Sequence, residues 1–267
     1  MNNTVIRALS GAIYVALVAA ACLKGGYFFL ITFLVFILLA TKETIALQKK
    51  HGGVHDTLVW LVAIVLYAYL SVDFLAIDMT LPISGLELFF GVLVFMQMAG
   101  VFLSPKKKSQ HPLANSILAT TYLFLPFYAL LQLEKADTDI VLFIFVLIWT
   151  NDTMAFVFGK WLGKHKLYER LSPKKTIEGF VGGWLSAVGA SYLMFYINHE
   201  MTTFFPFIIA TAVSFAGTIG DLFESMLKRK AGVKDSGNVI PGHGGILDRL
   251  DSVFFAAPLV YVVWLLS

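Results

Sequence analysis

Charge is what this chain has least of. Asp, Glu, Lys and Arg make up 14% of its 267 residues, against roughly 25% in an ordinary soluble domain. Apolar residues fill the deficit at 58%, so the chain cannot clothe itself in water-facing side chains, and an integral membrane protein is expected. Cysteine is nearly absent. The lone Cys22 excludes an internal disulfide and a thiolate metal site, which leaves oxygen or histidine to hold any metal. The small-residue run "LVAAAC" before it has the look of a lipoprotein processing site, but that stretch is long enough to be a span, and a chain with many further spans has little need of a lipid anchor. Neither GxxxxGK[ST] nor GxGxxG occurs, so no standard soluble phosphate loop is present. Internal repeats and Ser/Pro-rich linkers are missing too, and one domain over 1–267 is expected, with 1–140 as scaffold and lipid-cleft spans and 141–267 carrying the site.

What is there comes in long apolar blocks. They predict an all-α polytopic bundle of nine transmembrane helices at about 5–23, 26–41, 57–71, 85–103, 113–133, 139–158, 176–198, 203–223 and 250–266. Continuous blocks rather than period-two alternation exclude a membrane barrel. Basic residues gather in alternate loops, with Lys24 and Lys135 as the exceptions. The positive-inside rule then predicts a cytoplasmic N-terminus and an outer C-terminus in the cytoplasmic membrane.

A carboxylate within hydrocarbon costs at least ~2.5 kcal/mol on insertion scales, so each is a functional candidate. Asp152 in "IWTNDTMAF" is predicted about 10 Å inside its helix end. Glu178, Asp221, Asp248 and Asp251 fall near the cytoplasmic ends of their spans. That distribution suits an enzyme at the lipid–water boundary better than a transporter with a midplane site. Helix capping is the plainer reading for Asp248 and Asp251.

Two cytoplasmic loops carry the remaining chemistry. In "GDLFESMLKRKAGVKDSG", Asp221, Ser225 and Lys228 share one helix face beside Glu224, until Gly232 breaks the pattern. Arg229, Lys234 and Asp235 lead into "PGHGG", where Gly242, Gly244 and Gly245 free the backbone to turn N–H groups toward an anion. Asp248, Arg249 and Asp251 follow at once. Carboxylates for a hard cation, bases for phosphate oxygens and bare main chain together fit a polyphosphate carried with Mg²⁺. The other loop, "LSPKKTIEGFVGG", predicts Ser172 capping a helix that starts at Pro173, with Lys174, Lys175 and Thr176 at its positive end. There the plainer alternative is that inner loops are basic anyway and the glycines let helices pack closely. His243 stands alone among these motifs and reads as a phosphate or loop hydrogen-bonding group rather than a metal ligand.

Ser225, Lys228, Arg229, Lys234, Asp235 and "IPGHGGILDRLD" resemble the C-terminal motif of the phosphatidate cytidylyltransferases, or CDP-diglyceride synthases. "SPKKTIEG" and "TNDTMAF", with Asn151 and Asp152, are similar to that family as well, so the resemblance spans roughly residues 145–255. It implies transfer of a cytidylyl group from CTP to phosphatidate, giving CDP-diacylglycerol and pyrophosphate, with no nucleic acid involved. It also implies Mg²⁺, with room for a second mono- or divalent cation. On this reading Asp221, Asp248 and Asp251 hold the metal, Asp152 supports them, Lys228, Arg229, Lys234 and Arg249 screen phosphate charge, and Lys174 and Lys175 grip the lipid phosphate or pyrophosphate. The state of assembly is open, a homodimer among the options. A CTP-using lipid or polyprenol kinase is the nearest rival, and a transporter the non-enzymatic one. A CDP-alcohol phosphatidyltransferase would need a DGxxAR-type pattern, which is absent.

Overall fold

An apolar segment in hydrocarbon must pair its own backbone groups, and a helix does so locally. Eight helices occur among the residues described by the computed structural model, which are 3–51, 53–74, 112–169, 171–197 and 205–266. They are α1 (Asn3–Lys24), α2 (Gly26–His51), α3 (Asp56–Phe74), α4 (Pro112–Ala136), α5 (Thr138–Leu162), α6 (Ile177–Ile197), α7 (Phe205–Lys230) and α8 (Leu247–Leu266). The span expected at 85–103 lies outside the described residues. Six of the eight, all but α3 and α6, are long and apolar enough to cross a membrane by length and composition. Cys22 is buried against the main apolar core, to which every helix contributes.

Two helices outrun their apolar blocks, and the site depends on both. The sequence predicts that α2 ends at 41, but it continues to His51, carrying the buried Thr41, Glu43, Thr44 and Gln48. α7 also runs past its apolar block, to Lys230, as the helix face expected to carry Asp221, Ser225 and Lys228 requires. It stops there because Gly232 adopts φ +71°, with Val233 N donating to Lys228 O at 2.9 Å and Gly232 N to Arg229 O at 3.1 Å. This is a Schellman closure of the last carbonyls.

The helix expected to start at Pro173 does not. Ser172–Thr176 is strand β2, paired antiparallel with β1 (Lys166–Tyr168). Ser172 is therefore no cap, and the cap is Thr176, whose hydroxyl accepts from Gly179 N at 3.1 Å, the N-cap to N3 bond that opens α6. Glycines then bring α6 against α5. A Cβ on Gly179 would stand 2.7 Å from the Ala155 carbonyl oxygen, and one on Gly183 2.6 Å from that of Asn151. Close packing is thus the structural role of "GFVGG".

A similar approach joins α7 to α8, where a Cβ on Gly220 would collide with the Asp251 carbonyl oxygen. Backbone cannot step aside as a side chain can, so Gly220→Ala is expected to destabilise by about 1–3 kcal/mol. A lowered thermal midpoint in detergent would register this, and an unchanged midpoint would show that the helices separate freely.

The two ends of the bundle are distinguishable. At one, Glu134 Oε1 accepts from Gly26 N at 2.9 Å, joining the α1–α2 turn to the α4–α5 turn. At the other, Ser10 of α1 meets the 231–246 loop, its hydroxyl donating to Pro241 O at 2.9 Å.

Candidate active site

The polar end of α7, the loop that follows and the start of α8 form one hydrogen-bonded unit. Lys228 sits at its centre. The ammonium lies 2.5 Å from Glu224 Oε2 and 2.6 Å from Asp248 Oδ1, with the Glu224 side chain wholly buried and that of Lys228 nearly so. An acid of such burial persists only beside a cation, and the i to i+4 spacing on α7 supplies one. The second oxygen of Asp248 accepts from Ser236 N and Ser236 Oγ, each at 2.9 Å, and from Gly245 N at 2.8 Å. Asp248 thus ties α7, the loop and α8 together.

The glycine-rich turn bends where expected. Gly242 and Gly244 adopt φ +76° and +85°, and Ile240 N closes the turn on Gly244 O at 2.9 Å. Gly245 has a different constraint: a Cβ there would overlap Ser236 Oγ and Glu43 Oε2. The N–H groups expected to face an anion do face anions, but these are the protein's own carboxylates. Gly245 N goes to Asp248, while Ile246 N and Leu247 N go to Glu43 at 3.1 and 2.9 Å.

Glu43, on the polar extension of α2, caps α8 from some two hundred residues away. It also shares the one Ser236 hydroxyl hydrogen with Asp248, each carboxylate oxygen lying 2.9 Å from Ser236 Oγ. A helix N-terminus carries unpaired donors and partial positive charge, and a buried carboxylate answers both. Glu43, Ser236 and Tyr14 are not among the candidate residues that the sequence singles out. Glu43 has a signal, since an acid near a span end is a candidate once α2 is carried to residue 51.

The remaining acids converge from three helices. Asp221 of α7 pairs with Lys175 of β2 and accepts from Ser225 Oγ at 3.3 Å. Asp251 lies within electrostatic reach of both Asp221 and Asp152, and Lys175 and Arg249 act on Asp152. Glu224, Asp251, Asp248 and Asp221 all act electrostatically on the buried Tyr122 hydroxyl. Asp221 and Asp248 nevertheless hold different lysines. A cavity of about 230 Å³ opens among Trp149, Asp152, His243, Asp248, Arg249 and Asp251.

Other expected residues are exposed or are bonded within the protein. Lys174, Lys234 and Asp235 are exposed. Arg229 donates to Val233 O at 3.0 Å and Arg249 to His243 O at 3.2 Å, each bracing the loop backbone. Glu178 holds the 163–165 turn, accepting from Lys164 N at 3.0 Å and pairing with His165 Nδ1 at 2.6 Å. Asn151 is buried and donates to Asp152 Oδ1 at 3.3 Å. His243 lies 2.8 Å from Ser10 Oγ through Nδ1. Its partial desolvation, with the guanidiniums of Arg249 and Arg7, lowers its pKa below the usual imidazole value.

Among the described residues no three His, Cys, Asp or Glu side chains stand gathered for metal ligation. Carboxylate oxygens are the donors a hard divalent ion prefers, and Asp152, Asp221 and Asp251, on three helices, act on one another electrostatically. Neither Asp152 nor Asp251 has a salt-bridge partner among the described residues.

A family model described as "Cytidylyltransferase family" matches residues 5–267. The chain belongs to that family. A phosphatidate cytidylyltransferase of Staphylococcus epidermidis is 31% identical over 259 residues, covering 97% of this chain and 98% of that protein. One from Staphylococcus saprophyticus is 38% identical over 170 residues, or 63% of this chain and 65% of the relative. Another, from Staphylococcus aureus, is 36% identical over 174 residues, 65% and 67% of the two chains. Family membership covers α1 to α8, and so includes the half of the chain in which the sequence motifs are silent.

Proposed function

We propose that this chain transfers the cytidylyl group of CTP to phosphatidate, releasing pyrophosphate and leaving CDP-diacylglycerol in the membrane. One observation carries the reading: Asp152 of α5 and Asp248 and Asp251 of α8 border a cavity with Arg249, flanked by the Asp248–Lys228 and Asp221–Lys175 pairs, within helices apolar enough for a bilayer. At about 230 Å³ the cavity is smaller than the roughly 300–1,000 Å³ of common ligand clefts, and suits phosphate groups with the nucleoside projecting outward.

In the reaction an oxygen of the phosphatidate phosphate forms a bond to the α-phosphorus of CTP. The bond from that phosphorus to the β-bridging oxygen breaks, and its electron pair leaves with pyrophosphate. The nucleophile is already an anion, so no covalent enzyme intermediate is needed, and catalysis is positioning plus charge screening. Lys175 and Arg249 flank the acids and are set to screen the phosphates. Lys228 fixes the loop through Asp248 and adds positive field. Asp152, Asp221 and Asp251 would hold Mg²⁺, with Asp248 at the edge of that set, and when bound the ion would neutralise phosphate charge. No nucleic acid is required.

Our reading puts the N-terminus and the 231–246 loop in the cytoplasm, where CTP is found. Supporting it, a Cβ on Gly242 would meet Arg7 Cγ at 2.6 Å, so the start of α1 and the end of α7 share a side. The turns at 24–26 and 134–138 share the opposite one. That arrangement favours nine spans over eight.

Labelling CTP separately in cytosine and in the γ-phosphate tests the reaction. Cytosine label is expected in a chloroform-soluble product only when phosphatidate and Mg²⁺ are both supplied, and chelation with EDTA should abolish it. Transfer of γ-label to lipid would instead indicate a kinase, and nucleotide-independent flux in liposomes a transporter.

A further inference from the structure

The cavity beside the acids has a second, larger neighbour of quite different character. A groove of about 380 Å³ runs between α1 and α2, walled by Leu9, Ile13 and Leu17 of α1, Phe36 and Leu39 of α2, and Ile240 of the glycine-rich loop. Leu9, Ile13 and Leu17 recur at every fourth residue, a stripe about 12 Å long down one helix face. Tyr14 and Ile240 line both spaces, so the groove and the acid-lined cavity share a wall.

The polar groups bordering the groove are committed elsewhere. Ser10 Oγ is bound to Pro241 O and to His243 Nδ1, and the Tyr14 hydroxyl donates to Arg249 O at 3.1 Å. The walls therefore offer hydrocarbon contact and nothing to recognise a phosphate, sugar or base. α1 is also the least buried of the six spanning helices, with 22% of its apolar window covered, so the groove opens sideways rather than into a closed core. An occupant must be apolar, must arrive from the bilayer, and must be continuous with whatever sits beside Arg249 and Asp251. A phospholipid chain whose phosphate lies in the adjoining cavity meets all three conditions.

We infer that the α1–α2 groove is the acyl-chain subsite of the lipid substrate, with Tyr14 as the partition between chain and phosphate. This rests on the reaction proposed above. α1 is then a specificity-determining helix, and its groove-facing residues set how well long-chain phosphatidate is bound.

Filling the groove tests it. Ile13→Trp and Leu17→Trp are expected to raise the KM for dioleoyl phosphatidate relative to that for dihexanoyl phosphatidate by about tenfold, the scale on which apolar pockets discriminate. Leu23→Trp, at an exposed position of α1 off the groove, should leave that ratio as it was. The dihexanoyl reaction and the KM for CTP report whether each variant is folded. Equal effects on both chain lengths, or none on either, would overturn the subsite. In a second measurement, a diazirine placed mid-chain in phosphatidate should label peptides from residues 6–17, and unlabelled phosphatidate but not phosphatidylcholine should suppress the labelling. Suppression by both lipids would mean contact with bulk lipid only and would also overturn it. Failure of the underlying reaction is separately visible, because the unaltered protein would then form no cytidylyl lipid at all.

Discussion

Asp248→Asn is expected to lower turnover about 10²–10³-fold, the loss that follows removal of one preorganised electrostatic contact from an active site. The substitution keeps shape and changes charge. Asp248 now answers an ammonium with one oxygen and three donors with the other. An amide must turn an NH₂ toward one of these sets, placing donor against donor, and Lys228 is left with Glu224 alone. Hydrogen bonds to a charged group contribute about 1.5–3 kcal/mol each, so the loop loosens as well. Lys228→Met should be as damaging, since it strands the buried Glu224 carboxylate without its counter-ion, a change that typically costs about 3–5 kcal/mol. Because the two side chains act as one unit, the double variant should be little worse than either single one. Rates of cytidylyl transfer for purified single and double variants test this, and losses that multiply would show independent roles.

The second large effect is expected far from the motif. Glu43→Ala should reduce activity about a hundredfold, although Glu43 belongs to a half of the chain with no motif of its own. Its carboxylate is the acceptor for Ile246 N and Leu247 N and shares the Ser236 hydroxyl with Asp248. Deleting it leaves buried donors unpaired, each costing about 1–3 kcal/mol, at the point where α8 begins and Asp248 is held. Glu43→Gln should recover part of the loss through its remaining carbonyl. Hydrogen exchange distinguishes positioning from general damage: amides 246 and 247 should lose protection while the α4 and α5 amides keep theirs. Uniform loss of protection would show that Glu43 merely holds the bundle together.

The contrast between Asp248 and Glu43 marks how far the sequence could be read. Apolar blocks announce helices because hydrocarbon leaves the backbone no other choice, and the bounds of α1, α3, α4, α5, α6 and α8 fall within a few residues of those expected. Where a helix leaves hydrocarbon the signal fades. The end of α2 from Lys42 to His51 is polar and has the composition of a loop, which hides Glu43. Composition alone could not separate a basic helix start from a basic strand at Ser172–Thr176. The pairing of that segment with Lys166–Tyr168 depends on a partner whose register no local pattern records. Thr176, expected as an anion contact, caps α6.

The acids could be located in sequence because each is costly where it sits. What they hold could not be. Asp221 meets Lys175 across forty-six residues, and Asp248 meets Lys228 across twenty. Such pairs come from the packing of α7 on α8 and of β2 beside them. The glycine turn likewise revealed its flexibility but not that Glu43 and Asp248 take its N–H groups.

The central claim is that acids of α5, α7 and α8 form one pocket for a metal-bound triphosphate. Crystals grown with CTP and Mn²⁺ in place of Mg²⁺ test it most directly, through the anomalous signal of the metal. The account predicts a peak at ligation distance from the carboxylates of Asp221 and at least one of Asp152, Asp248 and Asp251, with the CTP phosphates against it. A peak bound elsewhere on the chain, or CTP phosphates ordered away from these three helices, would contradict it.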